Sequence, residues 1–107
     1  MARKPAAPAR AADAIVVAEV MGVDDRDTGV RSYRLRVSGS WKARLSGIIA
    51  VRSETTTCRA ELTDRQRYLV YLKRVGRTYW TDGCAGNLPL LRAKPAIAVL
   101  GRPFAGS

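Results

Sequence analysis

The clearest pattern in the chain is the alternation across residues 30–37, Val-Arg-Ser-Tyr-Arg-Leu-Arg-Val. A period of two puts successive side chains on opposite faces of an extended strand. Tyr33, Leu35 and Val37 therefore face a core, while Arg34 and Arg36 face solvent. Upstream, residues 14–23 are rich in β-branched side chains and apolar at both parities at the start. That is the mark of a strand buried on two sides. The polar run Asp24-Asp25-Arg26-Asp27-Thr28-Gly29 between the two predicts a hairpin loop.

Ser38-Gly39-Ser40 breaks the alternation, and residues 41–45 read as a short connection to a third strand at 47–52. Residues 53–57 lead to Cys58, and residues 59–65 read as an irregular crossing with a turn at Thr63-Asp64. A fourth strand over 66–74 carries Tyr68, Val70 and Leu72 on one face, with Leu69 and Tyr71 on the other. Val75-Gly76-Arg77 makes a tight turn, and residues 78–81 return as a fifth strand, forming a hairpin. After Cys84, residues 87–94 start a helix with Asn87 as its cap and Pro89 in its first turn. Pro95 interrupts that pattern. Residues 96–101 form a further short apolar piece, helical or extended, stopped at Gly101 and Pro103. Five strands with short turns and a C-terminal helical segment describe an all-β fold, a small five-stranded OB-like barrel.

Length and composition place bounds on this picture. A chain of 107 residues holds one domain with one modest core. A hydrophobic share of 47% and a mean hydropathy of −0.14 fit neither a disordered nor a membrane composition. No apolar run approaches the length of a spanning helix. Residues 1–12 hold three basic residues, two prolines and six alanines, without the apolar core of a signal peptide. They read as a disordered basic tail or the remnant of a leader, leaving 13–104 as the domain. Nineteen basic and nine acidic residues give +10, and removing the tail's +3 leaves +7 on residues 13–107. Such a charge favours nucleic acid, anionic glycans, anionic membranes or an acidic protein face, without choosing among them.

Candidate chemistry is sparse. The chain has no histidine, so the usual general base and the Ser/His and Cys/His pairs are missing, and catalysis is not expected. Asp24, Asp25 and Asp27 cluster, but lack the spacing and closing glutamate of a calcium loop, and a solvated hairpin tip accounts for them. Cys58 and Cys84, 26 positions apart, match no zinc pattern. They are either a disulfide or two free thiols, with the bridge favoured. A bridge over that loop would stabilise by roughly 3–4 kcal/mol and imply an oxidising compartment. No metal and no cofactor is expected.

Arg31, Arg34, Arg36, Lys42, Arg44, Arg52, Lys73, Arg74 and Arg77 form a candidate basic surface on the outer barrel, with Tyr71, Tyr79 and Trp80 interleaved. Cations beside aromatics on an OB barrel are what single-stranded nucleic acid requires, because bases stack while phosphates meet charge. The plainer reading is that Tyr68, Trp41 and Trp80 belong to the core and the arginines are ordinary outward positions. Tyr79 is balanced between the two.

Several stretches together resemble netrin-like domains, shared by tissue inhibitors of metalloproteinases and their bacterial relatives. Tyr33-Arg34-Leu35-Arg36-Val37 with Trp41-Lys42 resembles their "YxFxV…xWKG" strand pair. Gln66-Arg67-Tyr68-Leu69-Val70-Tyr71-Leu72 resembles "GxRYLVFL". Cys84-Ala85-Gly86-Asn87-Leu88-Pro89-Leu90 resembles "CSGTxPL", and Leu100-Gly101-Arg102-Pro103 resembles "LGxP". The likeness spans about residues 13–104 in order. It implies an OB-like barrel with a flanking helix, secretion, and a Cys58–Cys84 bridge. Animal inhibitors of the family chelate the protease's zinc through a free N-terminal cysteine. This chain begins Met1-Ala2-Arg3-Lys4 with no cysteine before Cys58, so the resemblance does not carry that mechanism over.

The sequence thus points to a non-enzymatic, exported netrin-like module, secreted or held in the cell envelope. Its expected partner is a protein or an anionic surface polymer; a third reading is a metalloprotease inhibitor working without the N-terminal chelator. The alternative is a reduced, basic OB-fold protein for single-stranded nucleic acid. Acid quenching of the native host, alkylation and mass spectrometry should find Cys58 and Cys84 in one disulfide. Two alkylated thiols would remove export.

Overall fold

The structure is a computed structural model and describes residues 12–24, 29–54, 62–81 and 87–105. Cys58, Cys84 and the bridge expected between them lie outside the described residues, as do Asp25 and Asp27. The two-sided apolar run becomes β1 (Ala14–Asp24), and the alternating run opens β2 (Val30–Trp41). The two pair antiparallel, with a register shift where Val17 faces Gly39 but Ala18 faces Val37. Ser38 is the extra residue, and its hydroxyl donates to the Val17 carbonyl at 3.2 Å. Here the structure corrects the sequence reading, which ended the strand at Ser38-Gly39-Ser40. A β-bulge leaves one residue unpaired and bends the strand without ending it, so β2 runs on through Trp41.

Three more strands complete a closed barrel: β3 (Gly47–Glu54), β4 (Arg67–Val75) and β5 (Thr78–Trp80). The order around it is β1-β2-β3-β5-β4, and β4 pairs back onto β1. The β3–β5 pair is parallel and the other neighbours are antiparallel. This is the small OB-like barrel expected. β4 and β5 join through Gly76 and Arg77, with φ of 62° at Gly76 supplying the positive φ of a tight hairpin. The turn before β4 falls at Asp64-Arg65, one residue later than the sequence suggests. The Tyr68 hydroxyl holds it, accepting from the Thr63 N–H at 2.9 Å.

Period-two side chains fill the barrel: Ala14, Val16, Ala18 and Val20 of β1, Tyr33, Leu35 and Val37 of β2, Val51 of β3, and Tyr68, Val70 and Leu72 of β4. The opposite parity of β1 and β4 is also apolar and needs its own cover. Ile15, Leu69 and Tyr71, with Trp41, form a second cluster under the helix α1 (Lys94–Leu100), which contributes Ala96, Ile97 and Leu100. Ala12, assigned to the tail by the sequence, is buried there too. The Trp41 indole N–H donates to the Gly101 carbonyl at 3.1 Å, tying the helix end to the barrel.

The C-terminal segment departs from expectation at Asn87. It caps no helix: β6 (Leu88–Pro89) pairs with β4, a 3-10 turn spans Leu90–Arg92, and α1 starts only at Lys94. Pro95 sits in the first turn of α1, where its missing N–H leaves nothing unpaired. Asn87 instead accepts from the Tyr71 N–H and donates to Thr81 Oγ1, both at 2.8 Å. Thr81 in turn donates to the Tyr71 carbonyl at 2.9 Å. A last short strand, β7 (Phe104–Ala105), pairs with β2 at Gly39 and Ser40.

These positions predict a sharp contrast. Leu35→Ala, inside the barrel, should cost about 2–5 kcal/mol in urea unfolding. Ile48→Ala, on the outer face, should stay within about 0.5 kcal/mol of the parent. Equal losses would contradict the assigned faces of β2 and β3.

Candidate functional site

The register gathers outward side chains of four strands into one row. Ser32 of β2 lies opposite Arg52 of β3, Arg52 opposite Trp80 of β5, and Trp80 opposite Lys73 of β4. Paired strands lie about 4.8 Å apart, so Arg52 and Lys73 stand on either side of the indole. One pleat along, about 6.8 Å away, Arg34 faces Ala50, and a further pleat sets Arg36 opposite Ile48. Arg34, Arg36, Arg52 and Lys73 are exposed, and Trp80 is half-buried. The helix covers the outer face of β1 and β4 and leaves these rows open.

The remaining sequence candidates do not join the rows. Lys42, Arg74 and Tyr79 gather with Asp13, Ala43 and Gly76 around an open depression of about 490 Å³. Its cations serve the chain's own acceptors. Lys42 Nζ donates to the Ala12 carbonyl, and Arg74 Nε donates to the Gly76 carbonyl at 3.0 Å. The Arg74 N–H meets Asp13 Oδ2 at 2.8 Å. Tyr79 packs inward against the barrel core. Arg31, half-buried at the start of β2, donates to the Tyr33 hydroxyl at 3.5 Å. Arg44 and Arg77 are exposed in the connections before β3 and between β4 and β5.

Tyr71 is the clear correction among the candidate binding residues. It is only 5% exposed and lies in the cluster beneath α1, so no ligand can stack on it. Residues 68–72 are buried at both parities because both faces of β4 are covered. Trp80 moves the other way. The plainer sequence reading places it in the core with Trp41, yet only Trp41 is buried, because the register turns Tyr79 inward and Trp80 outward.

Four outward cations on one face with an outward indole can attract a linear polyanion and give one of its rings or apolar edges a surface to lie on. Among the described residues, no group of three or more His, Cys, Asp or Glu could hold a metal ion. No described helix is long and apolar enough to cross a membrane. The chain matches no known family model and no curated protein.

Burial pushes the Tyr71 phenol above its ordinary value of 10.0. The native protein therefore holds that proton more tightly than the unfolded chain does. The resulting stability is complete below the ordinary value and is lost as pH rises through the raised one. The thermal midpoint should fall more steeply above pH 10 in the parent than in Tyr71→Phe. Identical alkaline slopes would refute a buried Tyr71 phenol.

Proposed function

We propose that this chain is a non-enzymatic binding module, of exported netrin-like kind, that holds an anionic polymer on the β2–β3–β5 face. The observation that carries the reading is the Ser32–Arg52–Trp80–Lys73 row, flanked by Arg34 and Arg36. OB barrels use the face of their second and third strands to bind oligonucleotides and oligosaccharides. In this chain that face is basic and uncovered, while the opposite wall is taken up by α1. An OB-like barrel with a flanking helix is also what the netrin-like resemblance implies. A polymer crossing the strands meets a cation every one or two strands, an arrangement suited to repeating charge rather than one small anion.

Single-stranded nucleic acid is the second reading, and Trp80 favours it, since an outward indole can stack on a base. Against it, Tyr71 is buried and Tyr79 faces the core, so one aromatic remains where several were expected. Binding to polygalacturonate, dextran sulfate and oligo(dT) should be measured over a salt series. The double variant Arg36→Glu with Arg52→Glu should lose at least about tenfold in affinity and flatten the salt dependence. Arg44→Glu with Arg77→Glu, of equal charge change outside the rows, should lose much less. Equal losses would mean that net charge alone attracts the polymer. A Trp80→Ala loss confined to oligo(dT) would move nucleic acid to first place.

A further inference from the structure

One end of the basic face is shaped in a way that charge alone does not require. β1 carries a second register shift: Val20 faces Leu35, Gly22 faces Arg34, and Met21 is the extra residue. The Arg34 guanidinium lies in the space that any other residue's Cβ would take at position 22. An ideal Cβ there would be 2.4 Å from Nη2, 2.8 Å from Nε and 3.0 Å from Cζ of Arg34. Gly22 is not among the glycines of positive φ, so the backbone does not demand glycine here. Its contribution is room. Beside this seat is a groove of about 460 Å³ lined by Gly22, Asp24, Ser32, Arg34 and Ala50. Asp24 and Ser32 face each other across the strand pair, one step from Gly22 and Arg34.

We propose that this groove binds one uronate unit of an acidic polysaccharide, its carboxylate taken by the Arg34 guanidinium that Gly22 seats and its hydroxyls met by Asp24 and Ser32. The proposal rests on the reading that the face holds an anionic polymer, and it names the polymer's chemistry. A guanidinium presents a planar fork that matches a carboxylate two-pronged, which an ammonium cannot do. A carboxylate in the same groove accepts from ligand hydroxyls. A uronate offers both a carboxylate and neighbouring hydroxyls, whereas a DNA phosphodiester brings the same single charge without hydroxyls for Asp24 and Ser32 to meet. Ala50, opposite Arg34, leaves space above the strand for a sugar ring. The volume falls within the range of small-ligand sites.

Calorimetric titration with a short oligogalacturonate, its carboxyl-reduced counterpart and oligo(dT) tests this. The parent should bind the uronate and not the reduced oligomer. Gly22→Ala keeps every charge but removes the seat, and it should weaken uronate binding about tenfold. Arg34→Lys, at an exposed position, should do the same and keeps the test valid if Gly22→Ala folds poorly. Uronate affinities within about twofold of the parent for Arg34→Lys, or equal binding of the reduced oligomer or of oligo(dT), would overturn the proposal. If the Arg36→Glu, Arg52→Glu variant loses all polyanions while Arg34→Lys binds as the parent does, the basic face stands and the groove assignment falls. If the parent binds no polyanion at all, both fall.

Discussion

The pairing of β4 with β1, from Ala14 against Leu72 to Glu19 against Arg67, is the constraint on which the rest of the molecule depends. It closes the barrel, and it joins two strands that are apolar at both parities. One face of the pair fills the barrel and the other requires a cover, which α1 and Trp41 supply. The cover brings polar backbone into a dry environment, where an unpaired amide costs about 1–3 kcal/mol. Asn87 and Thr81 meet that demand at Tyr71. Among the described residues, no buried side-chain nitrogen or oxygen lacks a hydrogen bond.

Because the helix is committed to β1 and β4, β2, β3 and β5 keep an open outer surface. Arginines at Arg34 and Arg36, about 6.8 Å apart along one strand, repel weakly, and salt screens that repulsion. Arg36 is exposed, and Arg34 packs only its guanidinium, against Gly22. A bound polyanion of the kind proposed above would convert a mildly unfavourable arrangement into an attractive one.

Much of this fold was legible in the sequence because it depends on period-two burial. Tyr33, Leu35 and Val37 alternate with arginines, and the doubly apolar runs at 14–16 and 68–72 announce strands covered on both sides. What escaped detection depends on partners distant in sequence. Ser38-Gly39-Ser40 has the composition of a turn, and only the pairing with Val17 and Ala18 makes it a bulge. Asn87 has the chemistry of a cap, but its oxygen is aimed at Tyr71, 16 residues upstream. The run 68–72 already implied that Tyr71 would be covered, so its place in the candidate surface gave too much weight to residue type. The nearness of Trp80 to Arg52 follows from a parallel pair that links residues 28 positions apart, which no local pattern reveals.

That parallel pair has a mechanical consequence. Its register joins only Val51 with Tyr79 and Arg52 with Trp80, the shortest of the barrel's five seams, extended by one bond from the Thr81 N–H to the Arg52 carbonyl. A ligand held by Arg52 and Trp80 together would straddle this seam like a clasp. Whatever binds the closed barrel and not an opened one shifts the balance toward closure by mass action. The shortest seam of the barrel therefore lies beneath the row of outward cations, and occupancy of that row would resist the barrel's unzipping.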